Sequence, residues 1–334
     1  MQTLILNQQE VSRLLPMAGC ITIMEDTLKA LSQGQAILPL RNTVRLPGGN
    51  MFVLMPAYLD NLPAVGSKVI SVFPGNHGTQ YDAHQGVVLL FETGHGCLRA
   101  IIDATSITAI RTPAVSGAAT KLLARPDASH LAILGAGTQA RGHLEAMLAV
   151  RPIRHVRVWS LPLAQAHEFA CSQSRRFDIP IQAVDTAREA VEGAEIICTV
   201  TSAREPILHG EWLSPGTHIN AVGSSVPFTR ELDTAAVALS RLFVDRREST
   251  LNEAGDFLFP RKEGAIGDDH ILGEIGEILN GTLPGRQTSE EITLFKSLGL
   301  AIEDLAAAQY VYDKARQAGV GVWVEIGGEH FAMI

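Results

Sequence analysis

The hexapeptide Gly135-Ala136-Gly137-Thr138-Gln139-Ala140 closes a short apolar run at 130–134 and opens a helix-like pattern. Phosphate binding needs that order of residues. Gly135 would make the tight turn, Gly137 would let the backbone approach a pyrophosphate, and Ala140 would let the helix pack close. The first turn of the helix then offers unpaired N–H groups to the anion. Small residues also make ordinary turns, so the reading depends on what surrounds the motif. A second run, Val156-Arg157-Val158-Trp159, follows at the distance a βαβ unit requires, and runs at 195–201 and 218–223 are separated by helical patterns such as 186–193. Buried parallel strands have this pattern, so the segment is read as a dinucleotide-binding unit. Its second strand ends in Trp159-Ser160, with no Asp or Glu to hold a ribose 2′-hydroxyl. Ser160 leaves room for a 2′-phosphate, which favours NADPH, with NADH as the alternative.

A nicotinamide enzyme acting on a carboxylate needs cations to orient it, and Arg41, Arg45, Lys68, Arg99 and Arg111 fall near expected strand ends. Lys68 opens the apolar stretch 69–73, where a solvated lysine would more naturally sit at a turn. The plain alternative is a charge on an edge strand. Arg111 falls at the junction of two domains, where ligand crevices of α/β proteins form, and an interdomain salt bridge accounts for it equally well. His77, His84 and His95, and Asp268-Asp269-His270, fit no compact ligand spacing and lie in turn-rich segments, so no metal is expected. Cys198, inside an apolar strand, reads as a small core residue. Asp245, Glu253 and Asp256 read as caps or as polar residues on the cofactor side.

The elements that must position these groups begin with a helical pattern at 17–33 and strand-like segments at 51–54, 68–73, 86–92 and 98–103. Turn clusters at 47–50 and 74–78 separate them, so an antiparallel or mixed sheet is expected. From Pro113 a small-residue helix, 114–123, leads into the dinucleotide unit. A closing helix is expected over 290–317, ending at Gly319, and the alternating tail 321–326 reads as a strand returning to the first sheet.

With 334 residues, 46% hydrophobic and 19% charged, and a net charge of −8, the chain has the composition of a soluble two-domain enzyme. The negative charge argues against nucleic acid or an anionic membrane as partner. There is neither a secretory-type start nor a bilayer-length apolar run, and a cytoplasmic protein is expected. Cys20, Cys97, Cys171 and Cys198 lack C-x-x-C spacing and are expected to be reduced.

Taken in order, the motifs resemble the ornithine cyclodeaminase/mu-crystallin family. They are Pro39-Leu40-Arg41, Ser67-Lys68-Val69, Ile110-Arg111-Thr112, 134–140, 215–223, Glu253-Ala254-Gly255-Asp256, 272–275 and 291–297, and they span nearly the whole chain. The resemblance implies an α/β fold with a Rossmann-type parallel sheet domain, 113–317, inserted into an α+β substrate-binding and dimerisation domain built from both termini, 1–112 and 318–334. It implies a homodimer, with Arg41, Lys68 and Arg111 around a substrate carboxylate near the nicotinamide. It also adds Arg111, Thr112, Thr201, Ala221, Val222, Gly223 and Ser297 to the cofactor-contacting positions.

Ornithine cyclodeaminases of the family carry an acidic residue just after the Ala-Val-Gly strand end, where it handles the substrate amine. Here Ser225 stands at that position on the substrate side, and an unactivated hydroxyl is a poor base near neutral pH. Reduction of a preformed cyclic imine needs only a hydride and a proton. The expected activity is NAD(P)H-dependent reduction of small cyclic ketimine carboxylates, first Δ1-pyrroline-2-carboxylate to L-proline and next the six-membered homologue. Arg41 and Arg111 would clamp the carboxylate, and Lys68 would hold it or assist protonation of the imine. Ornithine cyclodeaminase, alanine dehydrogenase and hydroxyproline dehydratase are the alternatives within the family. A cofactor-binding protein without turnover is the alternative of another class, and the three cations together speak against it.

Overall fold

A computed structural model describes residues 2–76 and 78–327, so His77 and the 328–334 end of the expected first domain lie outside the described residues. The chain opens with strand β1 (Gln2–Leu6), helices α1 (Gln8–Leu14) and α2 (Met17–Ser32), and strands β2 (Ala36–Ile37), β3 (Asn42–Arg45), β4 (Met51–Leu59), β5 (Ala64–Val72), β6 (His84–Glu92) and β7 (Leu98–Asp103). Helix α3 (Ala104–Leu123) follows directly. Then come β8 (His130–Leu134), α4 (Thr138–Val150), β9 (His155–Trp159), α5 (Leu163–Phe177), β10 (Ile181–Ala183), α6 (Ala187–Val191), β11 (Ile196–Thr199) and β12 (His218–Ala221). Helix α7 (Thr234–Ala238), β13 (Arg241–Val244), α8 (Arg247–Glu253), α9 (Gly255–Lys262), β14 (Ile271–Glu274), α10 (Ile275–Leu279) and β15 (Thr293–Lys296) complete the middle of the chain. Helix α11 (Ala301–Ala318) and β16 (Val322–Glu325) end it.

These elements form two compact units, Met1–Arg111 with Leu300–Ile334, and Thr112–Gly299. In the first, the sheet order is β16-β1-β7-β6-β5-β4-β2, with β3 also on β4. The sheet is mixed, because β1 pairs parallel to β7 while β4 to β7 form antiparallel neighbours. Period-two alternation sends Val53, Met55, Ala57 and Leu59 of β4, and Ala64, Gly66, Lys68 and Val72 of β5, to the buried face. Helix α11 covers that face and packs on α2, whose Met17, Cys20, Ile21, Met24 and Leu28 recur at helical spacing. Gly66 leaves room for the helix, since a Cβ there would stand 2.9 Å from the Leu305 side chain and 2.4 Å from the Leu89 carbonyl oxygen.

The sequence-based expectations need three corrections here. Residues 293–296 form strand β15 rather than the start of the closing helix, which begins at Ala301 and ends at Gly319 in the left-handed conformation. All four residues of that strand, Thr293 and Lys296 included, are buried, so they show no alternation, and so short a run does not distinguish helix from strand. Because α11 packs on the first sheet, the second boundary lies at Gly299–Leu300 rather than at 317–318. Helix α3 starts at Ala104, with Pro113 inside it rather than ahead of it. Burial of Ile107, Ala114, Val115, Ala118 and Ala119 outweighs the proline's preference for a helix start.

The second unit has an eight-stranded sheet in the order β10-β9-β8-β11-β12-β15-β13-β14. Its neighbours pair in parallel throughout. β11, β12 and β15 are buried along their whole lengths, as helices on both faces require. The chain runs outward from β8 to β10 and then returns to β11 on the other side of β8. The order in which strands are added therefore reverses between β8 and β11, and the crevice beyond their carboxyl ends is where such sheets bind ligands.

Candidate active site

Gly135 leaves β8 at that reversal with φ +120°, and a Cβ there would come 2.7 Å from the Val200 carbonyl oxygen, so only glycine fits. Gly137 has open space where a Cβ would stand, and it precedes α4, whose first turn has no side-chain cap and no acidic residue. The first turn of the helix presents its positive end, where backbone N–H groups can meet an external anion. Ala140 is buried behind them, and Thr112 is buried in α3. Ser297, just after β15, has a buried hydroxyl oxygen without a hydrogen-bond partner among the described residues. This turn, with an unsatisfied hydroxyl in the same unit, fits a dinucleotide. Ser160 is buried at the end of β9, and Leu161 next to it is exposed.

Thr201 follows β11, and Ala221, Val222 and Gly223 lie at the end of β12. One carboxylate ties these two strand ends together. Glu231, fully buried, accepts from the Thr201 amide at 2.6 Å and its hydroxyl at 2.7 Å through Oε1, and from the Thr199 hydroxyl at 2.7 Å and the Gly223 amide at 2.8 Å through Oε2. Burial, and the charge of Asp256 nearby, push its pKa up. Asp256 in turn accepts from the Glu231 amide at 2.8 Å and from Lys296 Nζ at 2.8 Å, and Lys296 also donates to the Ser224 carbonyl at 2.5 Å. Ser225, half-buried, is thus carried on a loop anchored on both sides. Asp233 caps α7 through the Ala236 amide at 2.7 Å and pairs with His209 at 3.0 Å. Asp245, at the end of β13, accepts from the Leu298 and Gly299 amides at 2.6 and 2.8 Å.

In the first unit Lys68 projects from β5, which lies between β4 and β6, so it is not an edge-strand charge. Its ammonium is buried 2.6 Å from Asp304 Oδ2. Asp304 Oδ1 accepts from Arg111 Nε at 2.9 Å, and Glu303 Oε2 accepts from Arg111 Nη1 at 2.7 Å. Arg111 therefore pairs within its own unit and makes no interdomain bridge through these contacts. The Lys68 pKa is lowered to about 8, chiefly by burial and further by the charges of Arg111 and Arg41, with Asp304 pulling it partly back up. The charge of Arg41 thus acts on Lys68 from within electrostatic reach. Burial alone would raise the Asp304 pKa, but Arg111 and Lys68 outweigh it and hold the carboxyl below its usual value. Arg99 instead stacks on Tyr312, and Arg45 is exposed on β3.

Such an arrangement can hold an anion beside a lysine that exchanges its proton near neutral pH. A family model described as the ornithine cyclodeaminase/mu-crystallin family matches residues 1–319. The chain belongs to this family. It is 42% identical over 281 residues to a ketimine reductase mu-crystallin of Mus musculus, covering 84% of this chain and 86% of that one. It also matches the structure of Thermococcus litoralis Δ1-pyrroline-2-carboxylate reductase in complex with NADH and L-proline, with a TM-score of 0.94, 40% identity, and coverage of 96% of this chain and 99% of that one. An archaeal alanine dehydrogenase dimer with bound NAD gives a TM-score of 0.93 at 32% identity, covering 98% and 100% of the two chains.

The structure brings together Arg41, Lys68 and Arg111 in one unit, and Gly135, Thr201, Gly223 and Ser225 at the strand ends of the other. Sequence reasoning missed Glu303, Asp304 and Lys296. An acidic pair in the first turn of a helix normally reads as a solvated complement to the helix dipole. The available signal was the apolar run on both sides, Ala301-Ile302 and Leu305-Ala306-Ala307-Ala308, which forces the pair inside. Cys198 is a core residue, its thiol pushed up to about 12 by burial. Among the described residues no group of three or more His, Cys, Asp and Glu side chains is gathered as a metal site would require. No helix there is long and apolar enough to cross a membrane.

Proposed function

We propose that this protein is an NAD(P)H-dependent reductase of small cyclic ketimine carboxylates, chiefly converting Δ1-pyrroline-2-carboxylate to L-proline. The observation that carries the reading is the buried Asp304 carboxylate bridging Lys68 and the Arg111 guanidinium, within reach of the Arg41 charge, in a chain of the ornithine cyclodeaminase/mu-crystallin family. Gly135 to Gln139, Thr201, Gly223 and Ser297 would hold the cofactor, which supplies the hydride when bound. Arg41 and Arg111 grip the substrate carboxylate, a charge-assisted contact that fixes the ring. Lys68 holds that carboxylate or passes the Nζ proton to the imine nitrogen, and its lowered pKa suits a proton donor near neutral pH.

Ser225 favours this reading over ornithine cyclodeamination, because no carboxylate stands there to receive the amine proton, and Glu231 and Asp233 are held in structural hydrogen bonds. Ser160 supports NADPH as the preferred cofactor. A homodimer is supported by the sheet face turned away from α11, where Phe52 and Val65 stand exposed and Tyr58 and Phe91 half-exposed. The four free cysteines support a reducing, cytoplasmic location.

The deciding assay sets Δ1-pyrroline-2-carboxylate plus NADPH against L-ornithine plus the oxidised cofactor. Rapid imine reduction with little or no ammonia from ornithine is the expected result. Rapid ammonia release without imine reduction would refute the reading.

A further inference from the structure

A lysine shut away from water within reach of two guanidinium charges should give up its proton, because burial and both like charges disfavour the ammonium. The charged groups around Lys68 come from three segments outside its own strand. They are Arg41 ahead of β3, Arg111 on α3, and Glu303 and Asp304 on α11. Cys20 on α2 also lies within electrostatic reach of Arg111 and Glu303, but burial raises its thiol to about 12 and keeps it neutral. The two carboxylates act differently. Glu303 reaches the cluster through Arg111 Nη1, whereas Asp304 spends one oxygen on Arg111 and the other on Lys68. A single planar group thus sets the spacing between the guanidinium and the ammonium and opposes the like charges around the ammonium.

We propose that Asp304 is a positioning residue for the reductase reaction: it keeps Lys68 protonated and aimed, fixes its distance from Arg111, and so sets the alkaline limit of turnover. This rests on the reductase reading for its catalytic consequence, though not for the state of Lys68 itself. When a proton leaves Lys68 Nζ for the imine nitrogen as hydride reaches the imine carbon, the amine left behind is neutral and must be recharged from solvent. With Asp304 still ionised beside it, the charged form is the one restored.

Two measurements test this separately. The first is the pH dependence of kcat/KM for Δ1-pyrroline-2-carboxylate with NADPH. In the wild-type enzyme activity should fall as pH rises through about 8, since the protonated lysine is the active form. Asp304→Asn should move that limb to lower pH by about one unit or more, roughly a tenfold deficit on the alkaline side, and Asp304→Glu should return most of it. The second is the titration of the Lys68 15Nζ resonance in the cofactor-free protein, assigned by its loss in Lys68→Met. Its midpoint should fall in Asp304→Asn, and in Asp304→Ser should the asparagine variant not fold, while Glu303→Gln should shift it less. A lowered midpoint in a protein that reduces no imine would uphold the role of Asp304 and remove the reductase reading. An unmoved midpoint in the Asp304 variants, or an equal shift in Glu303→Gln, would overturn the proposal whatever the activity.

Discussion

Among the described residues each unit buries one lysine against one aspartate, and the two pairs have different surroundings. Lys296 meets Asp256 at 2.8 Å and donates again to the Ser224 carbonyl, while the other Asp256 oxygen takes the Glu231 and Leu232 amides. Every partner there belongs to the chain, and the cluster is closed: it holds strand ends and the Ser225 loop in place. Lys68 meets Asp304 at 2.6 Å, and the charges of Arg111 and Arg41 act on it against the ammonium. Cations beside a buried cation leave positive potential that a ligand's carboxylate can neutralise. A buried ion pair is a staple when its neighbours complete it and a binding site when they compete with it.

The comparison is broken most sharply on the staple side. Asp256→Asn strands a buried ammonium, and the expected loss is about 3–5 kcal/mol of unfolding free energy, read from urea denaturation midpoints. Loss of catalysis with unchanged stability would show that this cluster is a binding site after all. On the other side, Lys68→Met leaves Asp304 still paired with Arg111. Its main effect should be a fall of about two or more decades in kcat/KM for imine reduction, with NADPH affinity by fluorescence titration almost unchanged. Wild-type turnover in that variant would move the site elsewhere.

Arg41→Ala tests the outermost cation. Losing one charge-assisted hydrogen bond to the substrate carboxylate, on the order of 1.5–3 kcal/mol, should cost about one to two decades in kcat/KM. The smallest expected effect concerns cofactor choice. The wild-type protein should bind NADPH at least as well as NADH, and Ser160→Asp should turn the preference toward NADH by about tenfold through repulsion of the 2′-phosphate. Equal changes in the dissociation constants of both cofactors would show that Ser160 does not face the ribose.

What could be read without coordinates was local. The Gly135 to Ala140 turn, the apolar runs on either side of it and the alternating strands of the first sheet each carry their signal within a few neighbouring residues, so the dinucleotide unit and the mixed sheet were expected in their correct places. Gly319 marked the end of α11 for the same reason, since a left-handed residue after a helix is a local requirement. The beginning of that helix was misplaced because β15 is buried on both faces and its four residues show no period. Glu231 carries no local signature, because its grip on Thr199, Thr201 and Gly223 depends on two strands becoming neighbours.

The sequence by itself therefore determined which residue types are present for the chemistry: a phosphate-binding turn, three cations, and a serine where a carboxylate would have served another reaction. The tertiary structure decided which charges meet. Arg111 and Asp304 are 193 positions apart and touch only because α11 folds back across the sheet that carries Lys68. A carboxylate in the first turn of a helix has no intrinsic partner. Whether it points to water, to one cation or between two is settled by the face on which the helix is buried, and that depends on packing between distant segments.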